Sequence, residues 1–302
     1  MKNPQLKIKY NTNTKIESVV KEENKYTLSV NPILNHKFSG FGDKLMTYLF
    51  YLVLKRYISN IFIDINENNM MSFIEYDKND KHIILENKID KTFFIEYDNY
   101  YAGRGNNYYI KTNSILNSIL EIMLIKFSKQ FNVPNNICDK IKQEIKNTKY
   151  RIPVKYYDIP NIPSVDISIV SKTGRFTPYR NWPYFKELKE KLNKEKITYI
   201  DLIEKNIKNV ECLNYIKKSK LYLGLDTGVS HYASSVASGK TLIIQSGYNY
   251  FDFWCFYDYD YINVNIECQK CFKRYGCPYD HKCMKDISVN MVYNKIIEKL
   301  NK

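Results

Sequence analysis

From residue 165 onward, short and wholly apolar runs alternate with amphipathic stretches, and glycine or proline stands between them. Val165–Val170 reads as a buried strand, Trp182–Leu192 as a helix begun by Pro183, and Ile197–Ile203 as the next strand. Glu211–Lys218 (helix), Leu221–Leu225 (strand), Val229–Ser238 (helix, ended by Gly239) and Thr241–Gln245 (strand) continue the series. Such a chain buries both faces of its strands only by laying them parallel, with helices above and below.

The first half repeats the theme less regularly. Lys25–Val30 is expected as its first strand, and a loop through Asn35–Gly42 opens a helix from Asp43 to about Tyr57. Ile61–Ile65, His82–Leu85 and Thr92–Glu96 read as short strands, and Ile115–Phe131 as a buried helix. Pro134, Pro153, Pro160 and Pro163 punctuate the stretch that follows, which holds one helix near Ile137–Lys146. With 302 residues there is length for two units. The expectation is an α/β protein of two Rossmann-like domains facing a central cleft. Residues 1–24 form an N-terminal extension, 25–150 the first domain, 151–163 a linker and 164–302 the second domain. Ligands of such sheets sit at the carboxyl ends of the strands.

The net charge of +14 raises nucleic acid or an anionic membrane as partners. Most of the 46 basic residues, however, are lysines scattered through the chain, which is the pattern of a solvated surface. Nucleic acid is therefore not the expected partner. The segment Met1–Lys15 is polar, so no secretory leader is expected. The longest apolar runs, near Leu45–Leu54 and Ile115–Ile125, fall short of a membrane span. A cytoplasmic place follows, with mostly reduced cysteines.

Three loops carry candidate chemistry. The strand Leu221–Leu225 delivers Asp226, Thr227 and Gly228 to its carboxyl end, and His231 lies in the first turn of the next helix. Helix-terminal N–H groups beside a glycine make an anion seat. Strand Val165–Val170 empties into Ser171, Lys172, Thr173, Gly174 and Arg175, with Arg180 shortly after. Only six arginines occur (Arg56, Arg104, Arg151, Arg175, Arg180, Arg274), and guanidinium suits bidentate phosphate binding. In the other half, Ser39, Gly40, Gly42 and Lys44 surround Asp43, a carboxylate at a helix start that can serve as a general base or only as a cap.

Cys268, Cys271, Cys277 and Cys283 fall within one short segment, with His281 among them. Four thiols satisfy tetrahedral zinc, yet this spacing permits a metal without requiring one. Cys138, Cys212 and Cys255 read as isolated residues. Asp258-Tyr259-Asp260 mimics a DxD metal motif and is read as coincidence, and Gly103-Arg104-Gly105 as a turn.

In order along the chain, these pieces resemble glycosyltransferase family nine, the lipopolysaccharide heptosyltransferase family of GT-B fold. The likeness rests on Ser39-Gly40-Phe41-Gly42-Asp43-Lys44-Leu45, Arg180-Asn181-Trp182-Pro183, Gly224 through Ala233, and the segment Cys268–Ile287. The resemblance implies inverting, metal-independent transfer of a heptose or hexose-like sugar from a nucleoside-diphosphate donor to a glycan or lipid-linked hydroxyl. It makes Asp43 the general base. Arg180 stands where the family has a phosphate-binding lysine, and Asp226, Thr227, Gly228 and His231 match its donor loop. The basic surface would help such an enzyme meet an anionic membrane. Two other readings use the same residues: a zinc-bearing nucleic-acid-binding module, and a catalytically inactive nucleotide-sugar binder.

Overall fold

The computed structural model describes residues 8–9, 25–35, 41–64, 81, 83–84, 92–94, 115–147, 156–157, 161–174, 178–207, 210–237, 239–248, 259–269, 271 and 277–302. At 8–9, 35, 41–46, 64, 83–84, 92–94, 115–119, 156–157, 178, 210 and 235 it describes the backbone alone. The chain divides into two compact units, Asn11–Pro153 and a second made of Met1–Tyr10 with Val154–Lys302. Strand β1 (Ile8–Lys9) belongs to the second unit. It pairs antiparallel with Tyr156–Tyr157, although the sequence placed it in an N-terminal extension.

The Asn11–Pro153 unit holds β2 (Ile33–Asn35), α1 (Phe41–Leu54), β3 (Phe62–Asp64), β4 (Ile83–Ile84), β5 (Thr92–Phe94), α2 (Ile115–Phe131) and α3 (Asn135–Asn147). Its four strands are parallel, in the order β4-β3-β2-β5. Helix α1 is buried along most of its described length, from Thr47 through Tyr51 and at Val53 and Leu54. Phe50 meets Phe127 of α2 edge-on at 5.9 Å, and Arg56 pairs with Glu144 of α3 at 2.5 Å.

The first strand lies later than its alternation predicts. Lys25–Val30 makes only a single bridge, from Tyr26 to Ile58. The reason is Asn60. Its Oδ1 accepts from the Leu28 N–H at 2.8 Å, and its Nδ2 donates to the carbonyls of Leu28 and Val30, both at 2.9 Å. A side chain thus satisfies the backbone groups that a neighbouring strand would otherwise pair, and the ladder starts after Pro32.

The second unit continues with β6 (Tyr156–Tyr157), β7 (Ile167–Ile169), α4 (Phe185–Lys194), β8 (Tyr199–Asp201), α5 (Val210–Lys218), β9 (Leu221–Leu225), α6 (Gly228–Val236), β10 (Thr241–Ile244), β11 (Asp260–Ile262), α7 (Lys282–Lys285) and α8 (Val289–Leu300). The strands β7 to β11 form one parallel sheet in the order β11-β10-β9-β7-β8. Ile167, Ile169, Leu221, Leu223, Leu225, Leu242 and Ile244 share one face, packed on Trp182, Phe185, Leu188 and Leu192 before and along α4 and on Val292 and Ile296 of α8. Tyr222, Gly224 and Ile243 point the other way, so the strands are apolar on both sides.

The strand β11 and the helix α8 were not read from the sequence. Trp182 also departs from its expected place as the first helical residue. It precedes α4, and its indole N–H donates to the Ile287 carbonyl at 2.8 Å, tying the helix entrance to the chain before α8. No described helix is long and apolar enough to cross a membrane.

Candidate functional site

In sheet order the second unit runs second, first, third, fourth, fifth, so the winding reverses between β7 and β9. Loops leaving the carboxyl ends of two strands at such a switch point diverge and leave a crevice, the usual ligand position in doubly wound sheets. These are the two strands that deliver Ser171–Gly174 and Asp226–Gly228. In the other unit the order is third, second, first, fourth. Its reversal lies between β2 and β5, and β2 is the strand that leads toward Asp43.

The loops after β7 and β9 are joined by Arg180. Its Nη1 donates to the Asp226 carbonyl at 3.0 Å and stands 3.2 Å from the Asp226 carboxylate, with both side chains buried. The guanidinium lies over two neighbouring rings, 5.4 Å from Tyr179 and 5.2 Å from Tyr248. Asn181 holds the first loop in place, accepting from the Thr173 N–H at 2.8 Å and from its hydroxyl at 3.0 Å. Ser171 is buried and Lys172 exposed, beside a hollow of about 370 Å³ that both line.

The second loop is built on a crossing of side chains. Tyr222, fully buried, runs along β9 over Gly224 to reach Ser230 Oγ at 2.9 Å. Ser230 in turn donates to the Leu225 carbonyl at 2.5 Å. A Cβ at position 224 would stand 2.7 Å from two carbons of the Tyr222 ring, so only glycine fits there. Thr227 is the extended residue before α6, and Gly228 opens the helix. His231 follows in the first turn. Burial, and secondarily the charge on Arg180, lower its pKa to about 3, so the imidazole is neutral and able to donate from one nitrogen.

Asp43, Gly42 and Lys44 fall in the first turn of α1, by backbone. Ser39, Gly40 and Arg175 lie outside the described residues, as do Cys255, Asp258 and the 103–109 turn. Asp260, the other half of the DxD resemblance, is a strand residue paired with Lys299 of α8. The tyrosines that support Arg180 were missed in sequence reading. With 28 tyrosines in the chain, neither Tyr179 nor Tyr248 stands out.

Cys268, Cys271, Cys277 and Cys283, with His281, line one small cavity of about 20 Å³ in the second unit. All four are free thiols. Burial raises the Cys283 pKa, and the three other thiols add to it. Asp280 and His281 take left-handed backbone angles (φ 46° and 53°), a turn that aims the His281 N–H at Cys277 Sγ, 3.4 Å away. Among the described residues, no three His, Cys, Asp or Glu side chains stand close enough together to hold a metal as they are.

Compared with known proteins, the chain matches no family model and no curated sequence. Solved structures do match. TibC of enterotoxigenic E. coli, described as an iron-containing dodecameric glycosyltransferase, aligns over 90% of this chain and 76% of its own, with TM-score 0.59 at 13% identity. TibC in complex with ADP-D-β-D-heptose aligns over the same shares, with TM-score 0.57 at 12% identity. A family 9 glycosyl transferase from Veillonella parvula aligns over 92% of this chain and 99% of its own, with TM-score 0.49 at 15% identity. The chain has the fold of TibC, a heptosyltransferase. The parallel sheets agree with the fold class read from the sequence, and Asp226–His231 follow the third strand of the second sheet.

Proposed function

We propose that the chain is an inverting glycosyltransferase, moving a heptose or hexose-like sugar from a nucleoside diphosphate to a hydroxyl of a glycan or glycolipid. The observation that carries the reading is the pair of loops at the β7/β9 switch point, drawn together by Arg180. A diphosphate there meets a guanidinium, Lys172, the hydroxyl of Thr227 and the N-terminal N–H groups of α6. These are the groups that stabilise negative charge as a diphosphate leaves. Asp43 is the proposed base. It takes the proton from the acceptor hydroxyl, whose oxygen attacks the anomeric carbon on the face opposite the diphosphate. The bond from that carbon to the phosphate oxygen breaks, and the nucleoside diphosphate departs with the electron pair.

TibC was solved with ADP-D-β-D-heptose, so ADP-heptose is the donor to try first. Calorimetry with ADP, UDP and GDP tests the seat directly. Arg180→Met is expected to weaken the preferred diphosphate about a hundredfold, the scale of a lost charge-assisted contact. Asp43→Asn is expected to keep that affinity and abolish transfer. Transfer surviving in Asp43→Asn, or no diphosphate bound by the unmodified protein, overturns the reading. The place proposed is the cytoplasmic face of a membrane carrying a lipid-linked acceptor, and sedimentation with anionic vesicles tests that contact.

We propose a metal at the thiol cavity only as a site that closes on binding, because among the described residues no three side chains stand close enough together to hold an ion as they are. The cavity's volume suits a single atom-sized occupant, and four thiols suit a soft ion such as zinc or the iron named for TibC. Cys268, Cys271, Cys277 and Cys283 would hold it, and the ion would cross-link the segment from 268 to 283 without entering the reaction. Elemental analysis should find about one ion per chain. Replacing Cys271 and Cys277 by serine should remove it.

A further inference from the structure

The thiol cavity and the phosphate seat share a wall. Tyr179, Ser246, Gly247 and Tyr248 line the cavity together with the four cysteines. The same two tyrosines, their ring centroids 4.9 Å apart, carry the Arg180 guanidinium. Tyr248 is 2% exposed and Tyr179 5%, so neither ring moves without displacing what packs against it. The contact on the thiol side is equally close. A Cβ on Gly247 would stand 3.1 Å from the Cys283 Cβ, and the Gly247 backbone hydrogen-bonds the Cys283 thiol.

We infer that Tyr248 is a positioning residue for Arg180, and that packing of the four-cysteine segment against Gly247 and Tyr248 sets the affinity of the seat for a diphosphate. The inference rests on the reading of Arg180 as a diphosphate ligand. Its physical content is a linkage. The cysteine segment presses on the 246–248 backbone, that backbone fixes the Tyr248 ring, and the ring fixes the guanidinium over which the diphosphate lies. A change at the cysteines is felt by the diphosphate, and by reciprocity the diphosphate is felt by the cysteines.

Both directions are measurable on the full chain. In the first, ADP affinity is measured by calorimetry for Cys283→Ser, Tyr248→Leu, Tyr248→Phe and the double variant Cys283→Ser/Tyr248→Leu. Cys283→Ser and Tyr248→Leu are each expected to weaken ADP about fivefold, the lower end of typical coupling. The double variant should be little worse than Tyr248→Leu alone, and Tyr248→Phe, which keeps the ring, should bind as the unmodified protein does. In the second, iodoacetamide labelling of the four cysteines is followed by mass spectrometry on the protein as purified. Saturating ADP should slow labelling severalfold, and Tyr248→Leu should abolish that protection. ADP that binds without changing the labelling rate, or fully independent effects of the two substitutions, overturns the inference and leaves the proposed function standing. Absence of ADP, UDP and GDP binding in the unmodified protein overturns both. The labelling experiment decides the matter even if Cys283→Ser fails to fold.

Discussion

Gly224→Ala is the most searching test of how the Asp226–Gly228 loop is built. The methyl group would stand 2.7 Å from two Tyr222 ring carbons, where nonbonded carbons settle at about 3.5–4.0 Å. Relief requires the ring to retreat by roughly 1 Å, and there is no room, because Tyr222 is fully buried and its hydroxyl is committed to Ser230. Overpacking of this kind costs about 1–3 kcal/mol, and loosening the Tyr222 hydrogen bond adds about 1 kcal/mol. Against this, removing a glycine from the unfolded chain returns about 0.4–1 kcal/mol. The net loss is about 2 kcal/mol, or about 4–8 °C in the melting temperature of a unit this size. Ser230 anchors the first turn of α6, so nucleoside-diphosphate affinity should fall with stability. Scanning calorimetry and binding calorimetry on Gly224→Ala, Tyr222→Leu and the double variant check both. In the double variant the methyl group has space, so its cost should be well below the sum of the singles. A Gly224→Ala protein melting within about 1 °C of the unmodified one, or strict additivity, would refute the account.

Three further outcomes follow from other contacts. Lys189 is 9% exposed and bridges Asp201 at 2.5 Å and Glu204 at 2.6 Å. Lys189→Met strands the buried Asp201 carboxylate and should cost about 3–5 kcal/mol in urea unfolding, with Asp201→Asn recovering part of it. Lys220, then Thr198, hold the Asp166 carboxyl down to about 2 from its ordinary 3.8. With the folded pKa depressed, this contribution is complete above about pH 4 and is lost as pH falls toward about 2. Asp166→Asn should therefore flatten the acid limb of the stability curve. His231 behaves likewise from a higher starting point. Its pKa falls from 6.5 to about 3, so the unfolded chain takes up a proton that the folded one refuses, and stability should decline as pH drops below about 6.5. His231→Gln should remove that slope from urea midpoints measured between about pH 7 and pH 5.

Legibility tracked burial. The runs at Leu221–Leu225 and Thr241–Ile244 are apolar on both faces, and both were readable because a central parallel strand has no other composition open to it. Ile115–Phe131 was readable for a related reason, its length. Lys25–Val30 misled because alternation is a statement about faces, whereas the decision lay with Asn60, some thirty residues on. The last helix escaped notice because its buried Val292 and Ile296 are few among polar neighbours, and only the sheet they cover explains them.

The same division holds for the site. Asp226, Thr227, Gly228 and His231 fall within six residues, and a strand, a glycine and a helix start make a candidate anion loop by local geometry alone. That Arg180 would close on Asp226, that two ordinary tyrosines would carry its charge, and that four cysteines would line one cavity with those tyrosines depended on the sheet order. Strand order is settled by long-range packing. It leaves no mark in a one-dimensional pattern, because the residues it brings together are chosen for surroundings that exist only once the chain has folded.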